Sequence, residues 1–91
     1  MKKGFVYIIR SETSKNYYIG SSEDPIKRLS EHNQGMVKST NKKGPWILMF
    51  TQEYDSLREA KQVEYRLKKL KRRDYLERII HDGYIKIKAG V

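Results

Sequence analysis

The chain has 91 residues, enough for one domain and too few for two independent cores. Lys and Arg number 20 against 11 Asp and Glu, and the resulting net charge of +9 favours a polyanionic partner through counterion release, with nucleic acid the leading candidate. Cysteine is absent and histidine occurs twice, at His32 and His81, which excludes disulfides, thiolate chemistry and multi-histidine zinc sites and leaves hard, oxygen-bound ions such as Mg²⁺ or Mn²⁺.

No long apolar helix, signal-peptide core or lipidation motif is present, so no membrane association is expected, and a soluble cytoplasmic protein is. "GFVYIIR", from Gly4 to Arg10, and "YYIGS", from Tyr17 to Ser21, are rich in β-branched and aromatic residues and flank the polar stretch "SETSKN". They read as a β-hairpin. With an even-numbered loop, opposed positions sum to an odd number, which places Tyr7, Ile9, Tyr18 and Gly20 on one face, Gly20 being read as a turn residue.

"DPIKRLSEHNQG" carries helix punctuation: Asp24 as N-cap, Pro25 at the first helical position and Gly35 as the stop. Ile26 and Leu29 are expected to bury, with Arg28 and His32, four residues apart, stacked on a neighbouring rim. "MVKSTNKKGP" is a basic loop suited to phosphate contact through Lys38, Lys42 and Lys43, and "WILMF" reads as a central strand covered on both faces. A sheet of at least three strands follows. A second helix opens with a capping box, Ser56 and Glu59, and aligns Leu57, Ala60, Val63, Leu67 and Leu70. Asp74 is expected to cap a third helix ending before Gly83, and "YIKIKAGV" reads as an edge strand or a frayed tail. The domain is therefore drawn over residues 1–82, with 83–91 as a C-terminal tail.

Glu64 falls inside the apolar arc of the second helix, where a carboxylate is costly unless it pairs with a cation such as Lys61 or Lys68, or binds a metal. Arg28 has a guanidinium fork matched to two phosphate oxygens, although a surface arginine in a basic chain is the plainer reading. His32 is suited to general acid or base work, against the plainer reading of a helix-end histidine interacting with the C-terminal dipole. Tyr7 and Tyr18 either pack or serve in catalysis, the latter only with a cation or metal beside the hydroxyl.

These residues, in this order, are similar to one family. Tyr7 in "FVYII", "YIG" at Tyr18 to Gly20, "RLSEHN" from Arg28, and Glu64 in "EAKQVEYRLKKLK" resemble the GIY-YIG nuclease domain, especially its small stand-alone members. The resemblance covers residues 4 to about 80 and implies an α/β (α+β) domain, a three-stranded antiparallel sheet flanked by helices with the site on one sheet face. It further implies a DNA endonuclease holding one divalent ion, Mg²⁺ or Mn²⁺, on Glu64. Tyr7 and Tyr18 share the role of general base, Arg28 stabilises the transition state, and His32 matches a position that is histidine or tyrosine in different branches. Repair or recombination is the implied setting, with Lys38, Lys42, Lys43 and Lys68 contacting nucleic acid. Excision-repair relatives carry lysine where this chain has Ser21, and Lys42, Lys43 or Lys68 is available to replace it. A nucleic-acid-binding module of the same fold without turnover is the alternative, and an accessory subunit is a third. Substrate structure and oligomeric state are not legible in the sequence.

Overall fold

The computed structural model of the chain describes residues 2–87. Strand β1 (Gly4–Ser11) is the middle of a three-stranded antiparallel sheet, with β2 (Tyr17–Ser22) on one side and β3 (Trp46–Tyr54) on the other. Its Val6, Ile8 and Ile9 are fully buried, because helices cover both of its faces. The apolar run of β3 reads as a central strand but forms an edge instead, and Ile47 is 44% exposed. Edge position costs nothing where the remaining apolar residues still reach the two cores, as Trp46 and Phe50 do.

The hairpin pairs Tyr7 with Gly20 and Ile9 with Tyr18, the odd-sum register expected. One sheet face, with Val6, Ile8, Ile19 and Phe50, packs on Ala60, Val63 and Leu67 of α2 (Leu57–Leu70) and Ile79 of α3 (Arg73–Asp82). The opposite face gathers Tyr7, Ile9 and Trp46 with Tyr18, Leu29 and Leu48. This second cluster lies under α1 (Pro25–Asn33) and the loop after it, in which Lys38–Thr40 form a short 3₁₀ turn.

Helix α1 begins as expected: Asp24 accepts from the Lys27 backbone N–H at 3.1 Å and Pro25 follows. Its buried side differs from the expectation. Ile26 is 67% exposed, whereas His32, expected at a rim, is 2% exposed. The two lie about 120° apart around the helix, and the orientation that brings Leu29 and His32 to the sheet turns Ile26 to solvent. An imidazole tolerates this burial because both ring nitrogens find partners. At the far end of α1, the Asn33 side-chain amide accepts from the Trp46 N–H at 2.7 Å and donates to the Trp46 carbonyl at 3.1 Å, tying the helix to β3.

Helix α2 starts where the capping box predicts, with Ser56 Oγ accepting from the Glu59 N–H at 3.2 Å. Its N-terminus closes onto β1 at Gly4, where a Cβ would lie 2.4 Å from the Leu57 Cα. Ala60, Val63 and Leu67 are buried, but Leu70, expected on the same stripe, is the last residue of the helix and 43% exposed. Asp74 does not cap α3. The N-cap is Arg72, and Asp74 in the first turn receives two hydrogen bonds from its guanidinium, at 2.6 and 3.2 Å. Gly83 ends α3 at φ +84°, and Ile85 then returns to the core, its backbone N–H and carbonyl bound by the Gln52 amide. No strand forms between Gly83 and Ile87, and residues 88–91 of the expected tail lie outside the described residues. Among the described residues no helix is long and apolar enough to cross a membrane.

Leu67 is 2% exposed at the centre of the α2 contact. Leu67→Ala is expected to lower stability by about 2–5 kcal/mol in urea unfolding, and Leu70→Ala by less than about 1 kcal/mol. Equal losses would misplace the helix face.

Candidate active site

Gly20 is not a turn residue. It lies within β2 opposite Tyr7, and a Cβ there would come within 2.3 Å of the Tyr7 hydroxyl oxygen. The missing side chain lets the Tyr7 ring cross β2, carrying its hydroxyl from the central strand to the edge of the sheet.

At that edge the Tyr7 hydroxyl lies 2.8 Å from His32 Nε2, and His32 Nδ1 lies 2.7 Å from Thr40 Oγ1. The Arg28 guanidinium, one helical turn before His32, acts on the same hydroxyl through its charge and donates to Glu31 Oε1 at 2.9 Å. Burial pushes the Tyr7 hydroxyl up to about 12, against the lowering effect of Arg28. Burial, reinforced by the Arg28 charge, pushes His32 down to about 4, so the imidazole is neutral near pH 7. Arg28 is raised further by its bond to Glu31.

Glu64 reaches this edge from α2. Ser21 alternates with Gly20 along β2, so it faces α2, and its hydroxyl donates to Glu64 Oε1 at 2.5 Å. Lys68, the next turn of α2, holds Glu64 Oε2 at 2.6 Å, with its Nζ also 5.4 Å from the centre of the Tyr18 ring. Tyr18 packs edge-on against His32 and Trp46, with ring centres 5.0 and 6.4 Å apart. The expected site on one sheet face is therefore wrapped around the β2 edge, Tyr7, Arg28 and His32 from one side and Ser21 and Glu64 from the other.

A groove of about 540 Å³ runs beside it, lined by Tyr18, Trp46, Lys43, Lys68, Lys71 and Arg73 among others. Of the four lysines expected to contact nucleic acid, Lys43 and Lys68 share this groove. Lys42 lines a separate depression with His32 and Asn33, and Lys38 lies exposed in the 3₁₀ turn, lining neither. The sequence reading passed over Thr40, Glu31 and the bond from Ser21 to Glu64. The spacing of three between Arg28 and Glu31 is a readable helical pair, whereas nothing in the loop sequence marks Thr40.

A profile of the GIY-YIG catalytic domain matches residues 3–77. The chain belongs to the GIY-YIG family. A UPF0213 protein of Halobacterium salinarum is 40% identical over 68 residues, covering 74% of this chain and 87% of that protein. The structure-specific endonuclease subunit SLX1 of Meyerozyma guilliermondii is 39% identical over 69 residues, covering 68% of this chain but 23% of that protein. The solution NMR structure of a UPF0213 protein from Bacillus halodurans superposes with a TM-score of 0.54 at 30% identity, over 89% of this chain and 86% of that one.

Among the described residues of this GIY-YIG domain, no three His, Cys, Asp or Glu side chains gather to hold a metal. Glu64 offers one partly buried carboxylate, 19% exposed, beside the Ser21 hydroxyl. That all-oxygen donor set fits a hard divalent ion that keeps most of its waters, provided Lys68 yields its carboxylate oxygen.

Gly20→Ala is expected to expel the Tyr7 ring and destabilise the domain by about 2 kcal/mol or more, read by thermal unfolding; unchanged stability would show that the ring has room to move. Because the folded-state value of His32 lies below its ordinary 6.5, near 4, its contribution to stability is complete above about pH 6.5 and is lost as the pH falls through 4. The loss amounts to about 3 kcal/mol at most. His32→Gln is expected to flatten the stability profile across that interval, and parallel profiles for the two proteins would refute the assignment.

Proposed function

We propose that the protein is a divalent-metal-dependent endonuclease that hydrolyses phosphodiester bonds in DNA. The observation that carries the reading is the meeting, at the β2 edge, of the Tyr7 and His32 pair, the Arg28 guanidinium and the Glu64 carboxylate. Membership of the GIY-YIG family and the similarity to an endonuclease subunit support hydrolysis of nucleic acid. DNA, with repair or recombination as the setting, is proposed on the resemblance described above.

In this reading Tyr7 is the general base and Tyr18 forms a wall of the site. Burial disfavours both the phenolate and the imidazolium, so the pair is a weak base on its own; an anionic phosphate brought beside it favours the imidazolium, and Tyr7 then accepts a proton from water as its own passes to His32. Arg28, whose charge already acts on the Tyr7 hydroxyl, meets the charge that grows on the phosphoryl oxygens. Lys68 takes the place of the lysine that excision-repair relatives carry at the position of Ser21, and Ser21 holds Glu64. Glu64, beside the Ser21 hydroxyl, would hold a divalent ion, whose positive charge would favour the departing 3′ oxygen. Lys43, Lys71 and Arg73 lie along the groove through which the phosphate backbone approaches.

A binding module without turnover is the second reading, favoured by the Lys68 ammonium 2.6 Å from the carboxylate oxygen that an ion would need. A panel of single-stranded, nicked, flapped and branched DNAs in Mn²⁺ separates the two. Cleavage of at least one substrate is expected, with the rate reduced about 100-fold or more in Glu64→Ala and in Arg28→Ala while both keep the wild-type circular dichroism. Full activity in both variants would overturn the site, and salt-sensitive binding without any cleavage would establish the binding module.

A further inference from the structure

Thr40 lies in the 3₁₀ turn, 1% exposed, and its hydroxyl sits 2.7 Å from His32 Nδ1. The hydrogens along this line are fixed from both ends. Tyr7 is 2% exposed and its hydroxyl has one side-chain partner, so the phenolic hydrogen has one protein acceptor within reach, His32 Nε2. Nε2 of a neutral imidazole must then be bare, and the ring hydrogen must sit on Nδ1. At the other end Thr40 Oγ1 accepts that hydrogen and sends its own to the Val37 carbonyl, 3.4 Å away. The opposite arrangement, with Thr40 donating to Nδ1, would leave the Tyr7 hydrogen without a protein acceptor.

We infer that Thr40 is a positioning residue that fixes His32 in the tautomer carrying hydrogen on Nδ1, so that Nε2 faces Tyr7 only as an acceptor. This deepens the nuclease reading and rests on it for its catalytic consequence. When the hydrogen leaves Tyr7 for Nε2 and a proton from water replaces it, the resulting imidazolium has a partner at each nitrogen, Thr40 on one side and the Tyr7 oxygen on the other. The Trp46 indole N–H donates to the Thr40 carbonyl at 3.2 Å and anchors the turn that presents the hydroxyl.

The chain has two histidines, and the side chain of His81 is 89% exposed, so a ¹⁵N ring spectrum contains one buried and one solvent reference imidazole. At pH 7 His32 is expected to show a protonated Nδ1 and a bare Nε2. Thr40→Val, similar in shape but without an acceptor, leaves one hydrogen of the line unpaired in either tautomer, so it is expected to bring in an Nε2–H signal beside the Nδ1–H one and to lower kcat about 100-fold while leaving KM within about twofold. Thr40→Ser is expected to restore both. An Nε2–H signal in the wild-type protein, or wild-type kcat in Thr40→Val, would overturn the assignment. If the wild-type protein cleaves nothing, the nuclease reading fails and the spectra still decide the tautomer; if Thr40→Val does not fold, the wild-type and Thr40→Ser spectra decide it.

Discussion

The passage of the Tyr7 ring over Gly20 governs the rest of the site, since a side chain at residue 20 and the ring cannot share that space. Tyr7 starts on the middle strand, where burial is complete, and ends at the sheet edge, where other elements can reach its hydroxyl. A buried tyrosine needs a hydrogen-bond partner, and this one is met by His32, which requires α1 to turn that face inward. The exposure of Ile26 is the corollary, since one helix cannot present both arcs to the same sheet. Gly4 performs the matching service for α2, letting its first turn touch β1 and so setting how far along the sheet Glu64 arrives.

Much of this was legible in the sequence. Hairpin parity placed Tyr7 and Tyr18 together because strand alternation leaves only two choices, and the Asp24 cap, the capping box at Ser56 and the terminal glycines set the helix limits within a residue or two. Glu64 stood out because a carboxylate among Ala60, Val63 and Leu67 conflicts with the periodicity around it. The readings that failed share a cause: periodicity defines the faces of an element and says nothing about what lies beside it. "WILMF" looked central because both its faces are apolar, and whether another strand pairs beyond it is decided by topology. His32 looked like a rim residue because the partners that permit its burial, Tyr7 and Thr40, are 25 and 8 residues away. Asp74 has the chemistry of a cap, but the adjacent Arg72 holds its carboxylate elsewhere.

The cations at the site are held in advance by carboxylates, Arg28 by Glu31 and Lys68 by Glu64. Both cations are more exposed than their partners, 39% against 26% and 47% against 19%. Such pairs contribute little to stability because water competes for both members. They do restrict long side chains to the geometry in which a phosphate would find them, at the cost of an exchange of partners when one arrives. Ser21 gains significance here: its short side chain, unlike a lysine at the same position, adds no further charge and keeps Glu64 in place from the side away from Lys68.

The Asn33 amide on Trp46 has a consequence of another kind. A strand at the margin of a sheet exposes peptide groups that recruit further strands, and natural proteins need some means of preventing this. Here a side chain with the same donor and acceptor pair as a peptide occupies both backbone groups of Trp46, the first residue of β3. The sheet is closed at this corner to growth by strand addition, so a second copy of the chain cannot start pairing there without first dislodging the end of α1.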